Sequence, residues 1–190
     1  MWKFIWFILV VISIVILGAM VFGIYYNLAR LRKKVEDSWS HIEDELQVRI
    51  ILADKLIDAT KRDVGQENSI LQNVVEAQSW LEYAETVHET VQANNMLIVA
   101  LEELFILLED PDIAISKRLK KLSEELEENE YLLSQYCSIY NEAAYMYNSK
   151  LQIFPNNMVA NYFGLKDAEY FEPEFNDDKN LDFDPARREE

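Results

Sequence analysis

The chain has 190 residues, with 18 Lys or Arg against 34 Asp or Glu, for a formal charge of −16. That length suits one domain, and 4 Gly with 4 Pro supply too little turn chemistry for a many-stranded sandwich or barrel, so the expected class is all-α. The acidity disfavours nucleic acid as a partner through long-range repulsion, and a single cysteine, Cys137, cannot close an intrachain disulfide.

From Phe4 to Tyr26 run 23 consecutive residues without a charge. At about 1.5 Å per helical residue they reach about 35 Å, enough to cross a hydrocarbon core of about 30 Å. The reading is a transmembrane anchor over residues 1–26. A secretory signal would have a shorter apolar region ending at a small-x-small site, and Met20 and Val21 occupy positions that want small side chains. Trp2 and Trp6 at one end and Tyr25 and Tyr26 at the other place amphipathic rings at the two headgroup layers. Lys3 precedes the span, whereas Arg30, Arg32, Lys33 and Lys34 follow it. Positive charge stays inside, which predicts a short exterior N-terminus, a single pass and a cytoplasmic body, with the bilayer as first partner.

Leu31, Val35, Trp39, Ile42, Leu46, Ile50, Ala53, Ile57, Thr60 and Val64 then recur with a mean step of about 3.7 residues, one buried stripe of a helix. Nothing between Tyr26 and Leu31 breaks the backbone, so the membrane helix is expected to continue into the body and to turn near Gly65. A second helical region, Gln66 to Glu109, would be 44 residues if unbroken, about 16 Å longer than the outward helix. A break at Asn94-Asn95, two residues of low helix propensity, relieves the mismatch and favours an antiparallel four-helix bundle over three helices. Pro111 stops the second region and Asp112 can cap the next helix. The last long helix carries Leu119, Leu122, Leu126, Asn129, Leu133, Tyr136, Tyr140, Ala144, Tyr147 and Leu151, and its solvated face pairs Lys120 with Glu124 and Lys121 with Glu125. Pro155 ends that helix, a short helical piece runs from about Asn157 to Phe163, and Gly164 closes it. The body is thus read as 27–171, and the acidic stretch 172–190 as a disordered tail.

Glu130, Tyr140-Asn141, Tyr147-Asn148, Phe154-Pro155, Asn157, Ala160, Phe163-Gly164 and Tyr170-Phe171-Glu172 stand in an order and spacing that resembles the LemA family of bacterial membrane proteins. Tyr26-Asn27, Trp39, Ile42, Arg49, Glu67 and Pro111-Asp112-Ile113 extend the resemblance over nearly all of Phe4 to Glu172. The chain departs from the family's pattern at Asp54, where a proline is usual, at Gln66, where a histidine is usual, and at Gln78 and Cys137, where arginines are usual. The resemblance implies a helical bundle tethered to the bacterial inner membrane with an exterior N-terminus; it names no reaction. Some relatives take part in building magnetosome membranes, and genes of the family often lie near a membrane zinc metallopeptidase, which puts such an enzyme among the expected partners.

Tyr140 with Tyr147 and Asn141 with Asn148 repeat at heptad spacing, a polar ladder whose partners across the bundle are expected to be Arg49, Glu67 and Glu130. Two readings stand: a satisfied network that fixes helix register, or a polar groove that receives a partner. Glu85 and His88 have the Glu-x-x-His spacing of carboxylate-bridged di-iron bundles, but a second copy is missing, so no metal and no cofactor are expected. Glu43, Asp44 and Glu45 point in different directions and read as a solvated face. Phosphate loops, His-Glu-x-x-His and glycine-flanked serines are absent from the sequence, and mid-helix Cys137 reads as a buried, inert thiol. Phe154, Phe163, Tyr170 and Phe171 are expected to fold back over the open end of the bundle, or else to form an aromatic patch for a partner. The functional expectation is a non-catalytic scaffold or adaptor for a membrane or membrane-associated protein, with weak homo-oligomers favoured by confinement to the membrane. Alternatives are a structural membrane-organising protein, and a metal or enzymatic bundle built on Glu85 and His88.

Overall fold

The computed structural model describes residues 2–64, 69–108 and 117–171. Its elements are α1 (Trp2–Val64), α2 (Ser69–Glu82), α3 (Val87–Leu108), α4 (Lys117–Gln152) and α5 (Asn156–Phe163). The turn near Gly65, Glu67, the Pro111 stop with its Asp112 cap, and the acidic tail lie outside the described residues.

α1 is a single helix of 63 residues that carries the apolar run and the first wall of the bundle without interruption. Its N-terminal half holds the most apolar 18-residue window among the described residues, and no residue of that window is buried. From Leu28 onward one stripe turns inward: Leu28, Val35, Ile42, Leu46, Ala53, Leu56 and Ile57 are buried. The exposed side of the same helix begins with the basic collar. Arg32 pairs with Glu36 at 2.9 Å and Lys33 with Asp37 at 3.0 Å, while Arg30 donates to Asn27.

Close backbone pairing joins α1 to α4 and α2 to α3, and the α2–α3 hairpin rests on α1 through α2. α4 runs antiparallel to α1: Tyr136 stacks on His41 with ring centroids 5.2 Å apart, and further along Tyr140 meets Trp39 at 5.4 Å. Leu71, Val74 and Leu81 from α2, Leu97, Leu101 and Leu104 from α3, and Leu119, Leu126 and Leu133 from α4 complete one core. On the outer face of α4, Lys121 and Glu125 form the expected i,i+4 pair at 3.1 Å.

The four-helix reading holds for the long helices, with α5 as the short addition, but the break lies elsewhere. Asn94-Asn95 is inside α3, and the hairpin turns at Tyr83–Thr86 instead. The cause is a capping box. Thr86 Oγ1 accepts from the Glu89 N–H at 3.2 Å, and Glu89 Oε2 accepts from the N–H groups of Glu85 and Thr86 at 3.0 and 3.1 Å. These bonds hold the Glu89 carboxyl below its ordinary range. Asn94 stays helical because its side chain is buried in a hydrogen bond, which outweighs its weak propensity.

The fold-back of the terminal aromatics is also corrected. Phe171 alone is buried; Phe154, Phe163 and Tyr170 remain exposed.

Candidate functional site

Arg49 is the largest fully buried side chain among the described residues, 1 % exposed in the body half of α1. Burying a guanidinium is costly unless its donors are used. Its Nε donates to Asn129 Oδ1 at 3.0 Å on α4, and Nη1 donates to Asn94 Oδ1 at 2.8 Å on α3. Nη2 has no hydrogen-bond partner among the described residues, but it lies 3.5 Å from Glu130 Oε2, an ion pair half open to solvent on the Glu130 side. Asn129 then returns to α1 by donating to the backbone oxygen and to Oε2 of Glu45, both at 2.9 Å. Burial lowers the Arg49 pKa, opposed by the Glu130 charge. The result is a three-helix pin: one side chain of α1 fixes the register of α3 and α4.

Beside this pin lies a cleft of about 300 Å³ whose walls include Asn94, Glu130, Ser134, Cys137 and Phe171. Cys137 is buried there, and desolvation pushes its thiol up to about 12 in spite of the nearby Arg49 charge. A thiol so protonated is a poor nucleophile.

The tyrosine and asparagine repeats do something different from what their position on the helix suggested. The partners of Tyr140, Asn141 and Asn148 are backbone atoms of the extended segment Leu165–Phe171 rather than Arg49 or Glu130. Asn148 Nδ2 donates to the Ala168 carbonyl and its Oδ1 accepts from the Ala168 N–H, both at 2.8 Å. Asn141 repeats the exchange with Phe171, at 2.8 and 2.9 Å, and Tyr140 Oη donates to the Glu169 carbonyl at 2.7 Å. Seven residues of helix rise about 10 Å and three extended residues span about 10 Å, so the heptad on α4 matches the Ala168-to-Phe171 step. The segment reaches this groove because Gly164 reverses the chain in the left-handed region at φ 65, with Leu165 N–H returned to the Ala160 carbonyl at 2.9 Å. Phe171 then fills the groove, 1 % exposed and 6.1 Å from the Trp39 ring. The strap climbs the α1–α4 groove away from the apolar end.

Tyr147 is buried as expected, yet its hydroxyl has no hydrogen-bond partner among the described residues, and burial raises its pKa. Glu67 lies outside the described residues. Of the departures from the family pattern, Gln78 and Asp54 meet: Gln78 Nε2 donates to Asp54 Oδ1 at 2.8 Å and to the Ile50 carbonyl at 3.2 Å, joining α2 to α1. Glu85 and His88 are exposed at the hairpin turn, and no group of three or more His, Cys, Asp or Glu converges among the described residues. Glu45, read as part of a solvated face, is instead a partner of Asn129.

Arg49 and Glu130 of the pin, and Tyr140, Asn141, Asn148 and Phe171 of the strap, are among the residues that carried the sequence resemblance, and the sequence model of the LemA family matches residues 38–183, which span both devices. The chain belongs to the LemA family. No curated protein matches the chain at the level required for a relative. Family membership indicates no molecular function.

Proposed function

We propose that this LemA-family protein is a non-catalytic adaptor, anchored by α1 with its body in the cytoplasm, that docks a membrane or membrane-associated protein on the outer face of α3. The observation that carries the reading is the composition of α3. Its inner face packs Leu97, Leu101 and Leu104 into the core, while Met96, Val99 and Ile106, on the opposite side beside Gln92 and Glu103, are left exposed. One 18-residue window of α3 is apolar enough to pass for a membrane span by length and composition, as a core helix also can. Its own bilayer is out of reach, however, because Asn94 meets Arg49 and Arg49 lies 23 residues beyond Tyr26, about 35 Å along α1. A protein surface is the occupant that suits an apolar stripe at that height. The unbroken helix from span to Arg49 would present this stripe at a fixed distance from the membrane, and the collar of Arg30, Arg32, Lys33 and Lys34 favours the cytoplasmic side.

The test is site-specific photocrosslinking in native membranes, with the reactive residue placed at Val99 or Ile106 of the full chain. The expected result is one heterologous membrane protein captured from both positions and lost in Met96→Glu/Ile106→Lys at unchanged helicity. Capture of a second copy alone would replace the adaptor with a structural, membrane-organising role. Reaction with water alone would end the docking reading.

A further inference from the structure

The apolar end of the bundle carries a surface that the anchor does not explain. The antiparallel pairing of α1 and α4, fixed by Tyr136 on His41 and Tyr140 on Trp39, brings the last turn of α4 down to the height of Tyr25 and Tyr26, where the uncharged run ends. The chain then continues past that height. Ile153 and Phe154 at the α4–α5 corner, and Met158, Tyr162 and Phe163 on α5, are all exposed, Phe154 to 73 % and Tyr162 to 84 %. Val159 and Ala160, by contrast, face the bundle and are buried. The depth of α5 has a second, independent marker: the Phe163 ring lies 4.5 Å from that of Tyr25 and closes an apolar cleft with Leu17, Gly18, Val21 and Phe22 of the span.

We propose that the α4–α5 corner is a second membrane-embedded element, a foot whose apolar side chains sit at the boundary between headgroups and acyl chains beside the α1 span. Exposed Lys150 and Lys166 flank it on either side and are long enough to reach back to the headgroups. The amides of Asn156 and Asn161 suit the same polar layer. A short helix with an apolar outer face beside a span lies in the interface plane, as interfacial amphipathic helices do. Two attachments separated sideways also resist tilting, so the body would be held in orientation as well as tethered. The occupant is lipid, since the surface continues that of the span and begins where the uncharged run ends.

This inference rests on α1 crossing the bilayer, and the experiment separates the two. The full chain with Cys137→Ala is reconstituted in phosphatidylethanolamine/phosphatidylglycerol nanodiscs and spin-labelled at Phe154→Cys, Met158→Cys or Tyr162→Cys, with Val15→Cys marking the span and Tyr131→Cys the water-facing body. Collision with oxygen and with a nickel chelate reports depth. The expected result is that the foot positions meet nickel several-fold less than Tyr131→Cys while lying shallower than Val15→Cys. A deep span label with foot labels as open to nickel as Tyr131→Cys overturns the foot and leaves the anchor intact. A span label open to nickel removes the anchor and the foot together. Foot labels shielded from nickel but broadened by spin–spin contact, even with one protein in excess lipid, assign the surface to a second copy and overturn the proposal. Tyr162 and Met158 are so exposed that their replacement leaves the fold unchanged, which keeps the result readable if Phe154→Cys folds poorly.

Discussion

Asn148 of α4 and Ala168 of the terminal segment exchange two hydrogen bonds of 2.8 Å through one side-chain amide, and Asn141 and Phe171 repeat the exchange one heptad up the helix. Each amide uses donor and acceptor together, so neither half can be removed without leaving a backbone group unpaired in a partly buried groove. Asn148→Ala and Asn141→Ala are each expected to lower unfolding stability by about 1 to 3 kcal/mol. Asn148→Asp keeps the acceptor but sets a carboxylate against the Ala168 carbonyl, and should cost at least as much as the alanine. Urea unfolding of the full chain in nanodiscs, followed by circular dichroism, measures all three. Tyr147→Phe is the contrasting case. Its hydroxyl is buried without a partner among the described residues, so its removal is expected to be neutral or stabilising, whereas Tyr140→Phe forfeits the bond to Glu169 and should cost about 1 kcal/mol.

Arg49 makes the second set of expectations. Arg49→Met keeps the apolar volume but leaves the Asn94 and Asn129 oxygens without their donor, and should cost about 1 to 3 kcal/mol for each buried acceptor left unpaired. Arg49→Lys keeps the charge, but a point charge cannot address oxygens on two helices in the fork geometry of a guanidinium, so it should recover only part of the loss. A double-mutant cycle with Asn94→Ala checks the pin directly. Coupling close to zero would mean that α3 is held by its apolar contacts alone.

The apolar N-terminal helix, the collar and the buried stripe of α1 are legible in the sequence because each is a local pattern: an uncharged run, a cluster of like charges, a period near 3.6. The strap is not legible. Asn141 and Asn148 bind backbone atoms 20 to 30 residues away, and a backbone partner leaves no side-chain signature. Only the match between seven helical residues and three extended ones could have suggested it. The position of the hairpin break is obscured for two opposite reasons. Asn94 looks like a weak point because its partner, Arg49, is 45 residues distant. The Thr86-x-x-Glu89 box, by contrast, is a local helix-start pattern, yet the overlapping Glu85-x-x-His88 spacing imitates metal chemistry over the same residues.

That box gives a pH dependence. Glu89 has a depressed carboxyl pKa in the folded protein, so its stabilising effect is present above the ordinary Glu range and is lost as pH falls through the folded value. The α3 start should therefore loosen as pH falls through that depressed value. Thr86→Ala is expected to cost about 1 kcal/mol, the usual loss for a helix cap. Glu89→Ala should remove the acid sensitivity of amide-exchange protection in the first turn of α3, while Glu89→Gln, which can still accept from the Glu85 and Thr86 N–H groups, should retain part of the protection at every pH.

At the alkaline end Cys137, Tyr140 and Tyr147 act in the same direction, the first two most strongly. Burial raises the Cys137 thiol from 9.0 to about 12 and the Tyr140 phenol from 10.0 to about 12, so both protons are held more tightly in the folded state than in the unfolded one. Their contribution is fully present below pH 9 and is lost as pH rises from there toward 12. Stability of the full chain should thus be level through neutrality and fall across that window, with a shallower fall in Cys137→Ala. The same thiol reports on the strap, because Cys137 shares its cleft with Phe171. At pH 8, iodoacetamide should alkylate native Cys137 far more slowly than the denatured chain. Asn141→Ala, which frees the Phe171 end, should accelerate the reaction under native conditions. Thr86→Ala, which destabilises a distant helix start, should not. Equal acceleration by both would mean that the thiol is reached through global unfolding and that the strap does not guard the cleft.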